Sequence, residues 1–288
     1  MARGFAGLSD VDLTVVVNVG DDADNHGLRI SPDLDTVIYT LAGVEGPYGW
    51  GRAGDTFRMN EELERFGVEN TFRIGDLDLA FKLYRTLKMS DGRQLSEVID
   101  DAVDAFGVTA RVIPATNDRL RTEVRIDPDG WISFQEYFVK RRAEDEVLDL
   151  RYIDSQSSSP SPGLIDAIKN ADLVTIAPSN PPLSIWPILA VPGIRDAVAG
   201  HPNVIAVSPL IGGKPIKGPA DRVLSSLGLP PGNLGVAAAY EGLIHSLVVD
   251  NQDSNDVEAM SELNVVVTNT HIADLDNAVA LARELADL

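Results

Sequence analysis

Five carboxylates fall within fifteen residues of this chain: Asp21, Asp22, Asp24, Asp33 and Asp35, in the stretch NVGDDADNHGLRISPDLDTVIY that covers 18–39. The first two follow directly on an apolar run, Leu13-Thr14-Val15-Val16-Val17, and on Gly20. In open parallel sheets, ligands bind at the carboxyl ends of the strands. Carboxylates gathered at such an end repel one another unless a cation neutralises them. The chemistry this implies is a hard-cation site, with Mg2+ serving a phosphate-bearing substrate.

Three further stretches offer polar groups. Pro178-Ser179-Asn180-Pro181-Pro182 follows the apolar run LVTIA, and its prolines stiffen a turn in which Ser179 and Asn180 present donors. It suits a nucleotide base or phosphate, or else a rigid strand-to-helix connection. Gly212-Gly213-Lys214 with Lys217 follows the run NVIAV and combines glycines with two of six lysines. It reads either as a phosphate cradle or as a solvated glycine-rich loop, and it is not a GxxxxGK[ST] loop. Arg73, Asp76 and Asp78 surround Gly75 at a helix start, where Asp76 or Asp78 is expected to cap the helix. The histidines at 26, 201, 245 and 271 have no metal-pair spacing, and only His26 lies inside the acidic cluster.

These groups need a frame. Continuous apolar runs at 13–17, 173–177, 203–207, 247–250 and 265–268 read as buried strands. Helical spacing marks 96–106, 164–170 and 275–285. Shorter strands are expected at 110–114, 122–126 and 131–134, the last two joined by an Asp127-Pro128-Asp129-Gly130 turn. The alternation predicts an α/β fold, a Rossmann-like, doubly wound, mostly parallel sheet. Residues 1–43 and 151–288 would form the sheet domain and 44–150 a smaller, helix-rich α+β insertion or lid, with 156–162 (QSSSPSP) as the best linker.

Composition narrows the function. The 288 residues are 44% hydrophobic and 24% charged, with 44 acidic against 24 basic residues and a net charge of −20. So acidic a surface argues against nucleic acid and anionic membranes. No apolar run approaches the roughly 18 residues of a membrane span. Without cysteine there is no disulfide and no thiolate catalysis. A cytoplasmic enzyme is the expectation.

Taken together and in order, VVVNVGDDADNHGLRISPDLDTVIYTLAG, GWGRAGDTF, FRIGDLDLA with Arg85-Thr86, ISFQEYFV, APSNPPLSIWPIL, VSPLIGGKPIKGPA and Thr268-Asn269-Thr270 carry a pattern that covers essentially the whole chain. It resembles the 2-phospho-L-lactate transferase (CofD/FbiA) family of coenzyme F(420) biosynthesis. The resemblance implies transfer of a phospholactyl or phosphoenolpyruvyl group from a guanosine diphospho-donor to the 5-deazaflavin Fo (7,8-didemethyl-8-hydroxy-5-deazariboflavin). GMP is released, Mg2+ is required, and homodimers are common. Carried over by position, Asp35 and Arg73 match the acceptor-binding pair. Asp21, Asp22 and Asp33 match the acidic loop around metal and reacting phosphate. Ser179, Asn180 and the Gly212-Gly213-Lys214 loop fall on the nucleotide side, and Asp76 joins the substrate-binding set. Mg2+ is then expected on Asp21 and one of Asp22 or Asp33. Asp35, with Asp33 beside it, would orient or deprotonate the attacking hydroxyl.

Two departures stand out. Relatives of this type begin with a strand and a GGxGGAK-like turn, whereas this chain starts at Met1-Ala2-Arg3-Gly4, inside the helix that follows them. The expectation is a start codon placed too late, and an unstable, weakly active product. The family's GDRDLATH also becomes GDLDLAFK, placing Leu77 where an arginine is usual and Phe81-Lys82 where Thr-His is usual. The alternative reading is a non-catalytic nucleotide-sugar-binding regulator of the gluconeogenesis-factor type.

Overall fold

The structure is a computed structural model that describes residues 1–47, 49–68 and 73–288. Phe72 of the FRIGDLDLA stretch therefore lies outside the described residues.

The chain opens with helix α1 (Ala2–Ala6), strand β1 (Thr14–Val17), the hairpin strands β2 (Ala23–Asn25) and β3 (Leu28–Ile30), and helix α2 (Pro32–Leu41). Helices α3 (Arg58–Arg65), α4 (Asp76–Ser90) and α5 (Leu95–Ala105) follow. Then come β4 (Arg111–Pro114), β5 (Arg121–Ile126), β6 (Gly130–Ser133) and β7 (Asp149–Ile153). The second half alternates: α6 (Leu164–Asn170), β8 (Val174–Ile176), α7 (Trp186–Leu189), α8 (Ile194–Ala199) and β9 (Val204–Val207). A short hairpin, β10 (Leu210–Ile211) and β11 (Lys214–Pro215), leads to α9 (Ala220–Ser226), α10 (Asn233–Ala239), β12 (Ser246–Asp250), β13 (Asn264–Thr268) and α11 (Leu275–Ala286).

All pairings among β8, β9, β12 and β13 are parallel, in the order β13-β12-β9-β8. The central strands β9 and β12 are wholly buried, as their unbroken apolar runs require. β1 pairs in parallel with β4 alone, so the parallel layer draws a strand from the 44–150 range. Among the described residues β1 and β8 each keep one edge without a strand partner, and both are only partly buried. Residues from both sheets share one apolar core that includes Val17, Ile113, Ile176, Ala206 and Leu247. Strands β5 and β6 form the antiparallel pair expected between 122 and 134, and β7 adds antiparallel to the other edge of β5.

The serine-rich 156–162 stretch corrects its reading as a linker. Ser158 and Ser161 are buried, the Ser161 N–H donates to Ala115 O at 3.2 Å, and Pro160 bridges to Thr116. Its serines turn back on the chain, the Ser158 hydroxyl donating to Asp154 O at 2.9 Å, which ties the loop down locally. No described helix is long and apolar enough to cross a membrane.

Candidate active site

The acidic loop is folded by local rules. Gly20 follows β1 at a spot where an added Cβ would lie 2.5 Å from the Thr122 hydroxyl and 3.0 Å from Pro187. Asn18 turns the loop, its Oδ1 accepting from Gly20 N at 2.7 Å while its Nδ2 donates to Asp33 at 3.0 Å. Ser31 and Pro32 start α2 and place Asp33 and Asp35 in its first turn, where the helix dipole favours negative charge. One short hairpin thus returns the chain from Asp21-Asp22 to Asp33-Asp35. His26 sits at the exposed tip of that hairpin, away from the acids it adjoins in sequence.

The carboxylates then divide. Asp22 accepts from the Ser31 hydroxyl at 2.7 Å and from Arg29 at 3.2 Å. Asp35 is gripped by Arg85, which donates to both of its oxygens, and by Lys82, which donates to one of them at 3.0 Å. Lys82 also pairs with Asp78, which accepts from the Tyr39 hydroxyl at 2.8 Å. Arg85 and Lys82 are fully buried, at 0% and 3% exposure. Three acids (Asp22, Asp35, Asp78) thus stand against three cations (Arg29, Lys82, Arg85). Asp24, on the hairpin, pairs outward with Arg119.

Among the described residues Asp21 and Asp33 have no such cation. Burial first, then the Asp33 and Asp22 charges, pushes Asp21 well above the usual carboxylate range, against the hydrogen bond from Asn18. Burial and Asp35 push Asp33 up, with Asn18 again opposing. Burial pushes Asp22 up to about 7, with Arg29 as the main opposing influence. Among the described residues Asp21 Oδ1 is buried with no hydrogen-bond partner, and so is the Thr122 hydroxyl near Gly20. The backbone of Asp21 is fixed by Gln135, whose Nε2 donates to Asp21 O at 2.8 Å. The Tyr152 hydroxyl donates to Pro182 O at 2.6 Å and is pushed up by burial and by Asp21.

This arrangement places the expected site residues. Among the described residues no three His, Asp or Glu side chains converge as a metal-ligand group. Of the trio Asp21, Asp22 and Asp33, Asp22 accepts from Arg29 and Ser31. Asp35, expected to orient or deprotonate the attacking hydroxyl, has both oxygens accepting from Arg85 and Lys82. Asp76 is not a cap for its own helix. Its carboxylate accepts from the Thr56 hydroxyl and from the N–H groups of Arg58 and Met59 at 3.2 and 3.0 Å, capping α3. Helix α4 is capped by Asp55, which accepts from Leu77 N at 2.7 Å and Asp78 N at 3.0 Å. Gly75 is required there, because a Cβ would fall within 2.0 Å of that carboxylate.

Arg73 is exposed, its guanidinium 4.7 Å from the centre of the Phe57 ring. Ser179 and Asn180 follow β8 at its carboxyl end; Asn180 Oδ1 caps Leu183 N at 3.3 Å, and its Nδ2 is buried without a partner. The Gly212 and Gly213 N–H groups, expected to be free for phosphate, donate instead to Asp253 at 3.0 and 2.6 Å, and Lys214 is exposed.

Sequence reasoning missed Asn18, Thr122 and Gln135 around Asp21, and missed Lys82 and Arg85 as buried cations. Arg85 could have been found, because Arg85-Thr86 belongs to the matching stretches and Thr86 accepts from Arg29 N at 2.8 Å.

The fold and the sequence both have known counterparts. A crystal structure of a member of the UPF0052 family from Bacillus halodurans superposes with a TM-score of 0.65 at 14% identity, covering 99% of this chain and 94% of that one. The 2-phospho-L-lactate transferase of Methanopyrus kandleri is 41% identical over 99% of this chain and 92% of its own length. The corresponding figures for the enzyme of that name in Methanocaldococcus jannaschii are 37%, 97% and 91%. A phosphoenolpyruvate transferase of Streptomyces griseus is 39% identical over 100% of this chain and 94% of its own. The family model described as 2-phospho-L-lactate transferase CofD matches residues 1–285. With the acidic loop, the hairpin and the buried cations all lying inside that match, the chain belongs to the 2-phospho-L-lactate transferase CofD family.

Proposed function

We propose that this chain transfers a phospholactyl or phosphoenolpyruvyl group from a guanosine diphospho-donor to a ribityl hydroxyl of the deazaflavin Fo, a step of coenzyme F(420) biosynthesis. The observation that carries the reading is the Asp21–Asp33 pair, Asp21 buried and Asp33 half-buried, left among the described residues without a cation beside a network in which the other acids of the loop each have one. The relatives' names, divided between 2-phospho-L-lactate and phosphoenolpyruvate transferase, support the reaction class and leave both three-carbon acids open to test.

The acceptor oxygen forms a bond to the phosphorus that bears the three-carbon acid. The bond from that phosphorus to the bridging oxygen breaks, and GMP leaves with the electron pair. The hydroxyl proton passes to a carboxylate, and Asp33 is the candidate, being held by Asn18 alone. Phosphoryl transfer of this kind depends on positioning and on stabilising charge.

Asp21 and Asp33 fit Mg2+, as the unpartnered buried Oδ1 of Asp21 is the donor a hard cation lacks. The ion would neutralise charge on the diphosphate when bound. Asp35 serves as an anchor, fixing Lys82 and Arg85 beneath the acidic loop. Asn180, through its free Nδ2, is the candidate nucleotide contact beside Ser179, and Arg73 the candidate acceptor contact. The chain acts in the cytoplasm and as a homodimer in this reading.

The test supplies purified protein with Fo, each donor in turn, and Mg2+, and follows GMP release and product mass. Product with one donor confirms the reaction and identifies the acid. Folded protein that binds a UDP-sugar, ignores Fo and releases no GMP discards the transferase in favour of the regulator.

A further inference from the structure

Asp21 and Asp33 make a thin site by themselves. A Mg2+ ion takes about six oxygens, and among the described residues no third His, Asp or Glu side chain joins the two acids. An unused oxygen lies across the loop, on β5. Thr122 is 1% exposed, and its hydroxyl has no hydrogen-bond partner among the described residues. A buried hydroxyl without a partner has given up water for nothing. Such groups in a native fold meet an ion, a ligand or an ordered water.

The backbone aims this hydroxyl at the acidic loop. Thr122 N donates to Gly20 O at 2.7 Å, which ties β5 to the residue before Asp21. The hydroxyl then stands over Gly20, where an added Cβ would be 2.5 Å from it and 3.0 Å from Asn18 Oδ1. Asn18 in turn donates to Asp33 at 3.0 Å. Tyr152 faces Thr122 across the β5–β7 ladder, and burial and then the Asp21 charge push its hydroxyl up. Thr122, Asn18, Asp21 and Asp33 are therefore gathered at the carboxyl end of β1. Two orphaned oxygens are among them, Asp21 Oδ1 and Thr122 Oγ1, and they do not bond to each other although the hydroxyl has a proton to give. A phosphate oxygen would meet the hydroxyl but repel the carboxylate. A hard cation meets the lone pairs of both.

We propose that Thr122 Oγ1 is a third protein ligand to Mg2+, beside Asp21 and Asp33. The proposal rests on the metal reading given above and goes beyond it by adding a neutral ligand from β5. A neutral oxygen raises the coordination without adding charge to a pair of acids that already repel each other. The same ion then joins the acidic loop to β5.

Thr122→Val keeps the side chain's shape and removes the oxygen, whereas Thr122→Ser keeps the oxygen. Mg2+ alone is titrated into the full chain by calorimetry, and thermal melts are run without it. Thr122→Val should weaken Mg2+ binding about 10- to 100-fold, the scale on which residues supporting a metal site act, and Thr122→Ser should bind as the native chain does. Without Mg2+, Thr122→Val should melt no lower than native, because a methyl replaces an unpartnered hydroxyl. Native Mg2+ affinity in Thr122→Val overturns the ligand role and gives the hydroxyl to a buried water. If Asp21→Asn loses binding in that case, the carboxylate site stands and only the threonine is discarded. A native chain that binds no Mg2+ overturns both the ligand and the metal site it joins.

Discussion

Asp21 and Asp22 are neighbours in sequence and both are buried, yet only Asp22 has a cation. Asp22 accepts from Arg29 and Ser31, while Asp21 Oδ1 accepts from nothing. The same contrast separates Asp35, held by Arg85 and Lys82, from Asp33 two residues away, held by an amide. Acids with cations hold the loop in place, and acids without them are the ones that the proposed reading gives to ligand and proton. A buried charge is tolerated only when paired or put to use, so the unpaired members are where function is to be sought.

The contrast can be broken on either side. The largest effect is expected from Arg85→Met, which strips the guanidinium from Asp35 and should destabilise the fold by about 3–5 kcal/mol in urea denaturation. Asp21→Asn should do the reverse: a loss of about 100-fold in GMP release, with a melting temperature no lower than native, because one buried repulsion disappears. A large stability loss in that variant would place Asp21 with the structural acids.

A third measurement needs no turnover. Mg2+ at about one hundred times its dissociation constant should stabilise the native chain by about 2.7 kcal/mol, and should do little for Asp21→Asn or Asp33→Asn. The smallest effect is in pH. Asp22 is raised in the folded state to about 7 from an ordinary 3.8, so the folded state binds the extra proton between those values. Stability should therefore fall as pH rises from about 4 to about 7 and level off above. Asp22→Asn should flatten that slope, read from thermal melts across the range.

Much of this frame was legible. The parallel strands announced themselves because strands buried on both faces need unbroken apolar runs, as in β9 and β12. The amphipathic spacing of α5 and α11 gave those helices within a residue or two of their ends. The acidic loop was legible as a cluster, but not its partition. That depends on which cations fold over it, and Lys82 and Arg85 come from a helix some fifty residues on, in a pattern that reads as solvent-facing. Gly212-Gly213 looked like a phosphate cradle because glycine leaves its N–H groups accessible. Asp253, forty residues further, takes them, and nothing local in the sequence reports that contact. The linker reading of 156–162 failed for a related reason: serines favour loops, but they also close their own hydrogen bonds and so can be packed.

The edges of β1 and β8 carry a kinetic consequence. The amides of β9 and β12, paired on both sides and sealed from water, should exchange their protons for deuterium only through global opening. β1 joins just one neighbour and feeds directly into Asn18, Gly20 and Asp21, so its amides should exchange through smaller openings. The segment that leads into the acidic loop would then be among the first parts of the core to breathe, and in the proposed reading a substrate held by both Asp21 and Asn180 would slow that exchange.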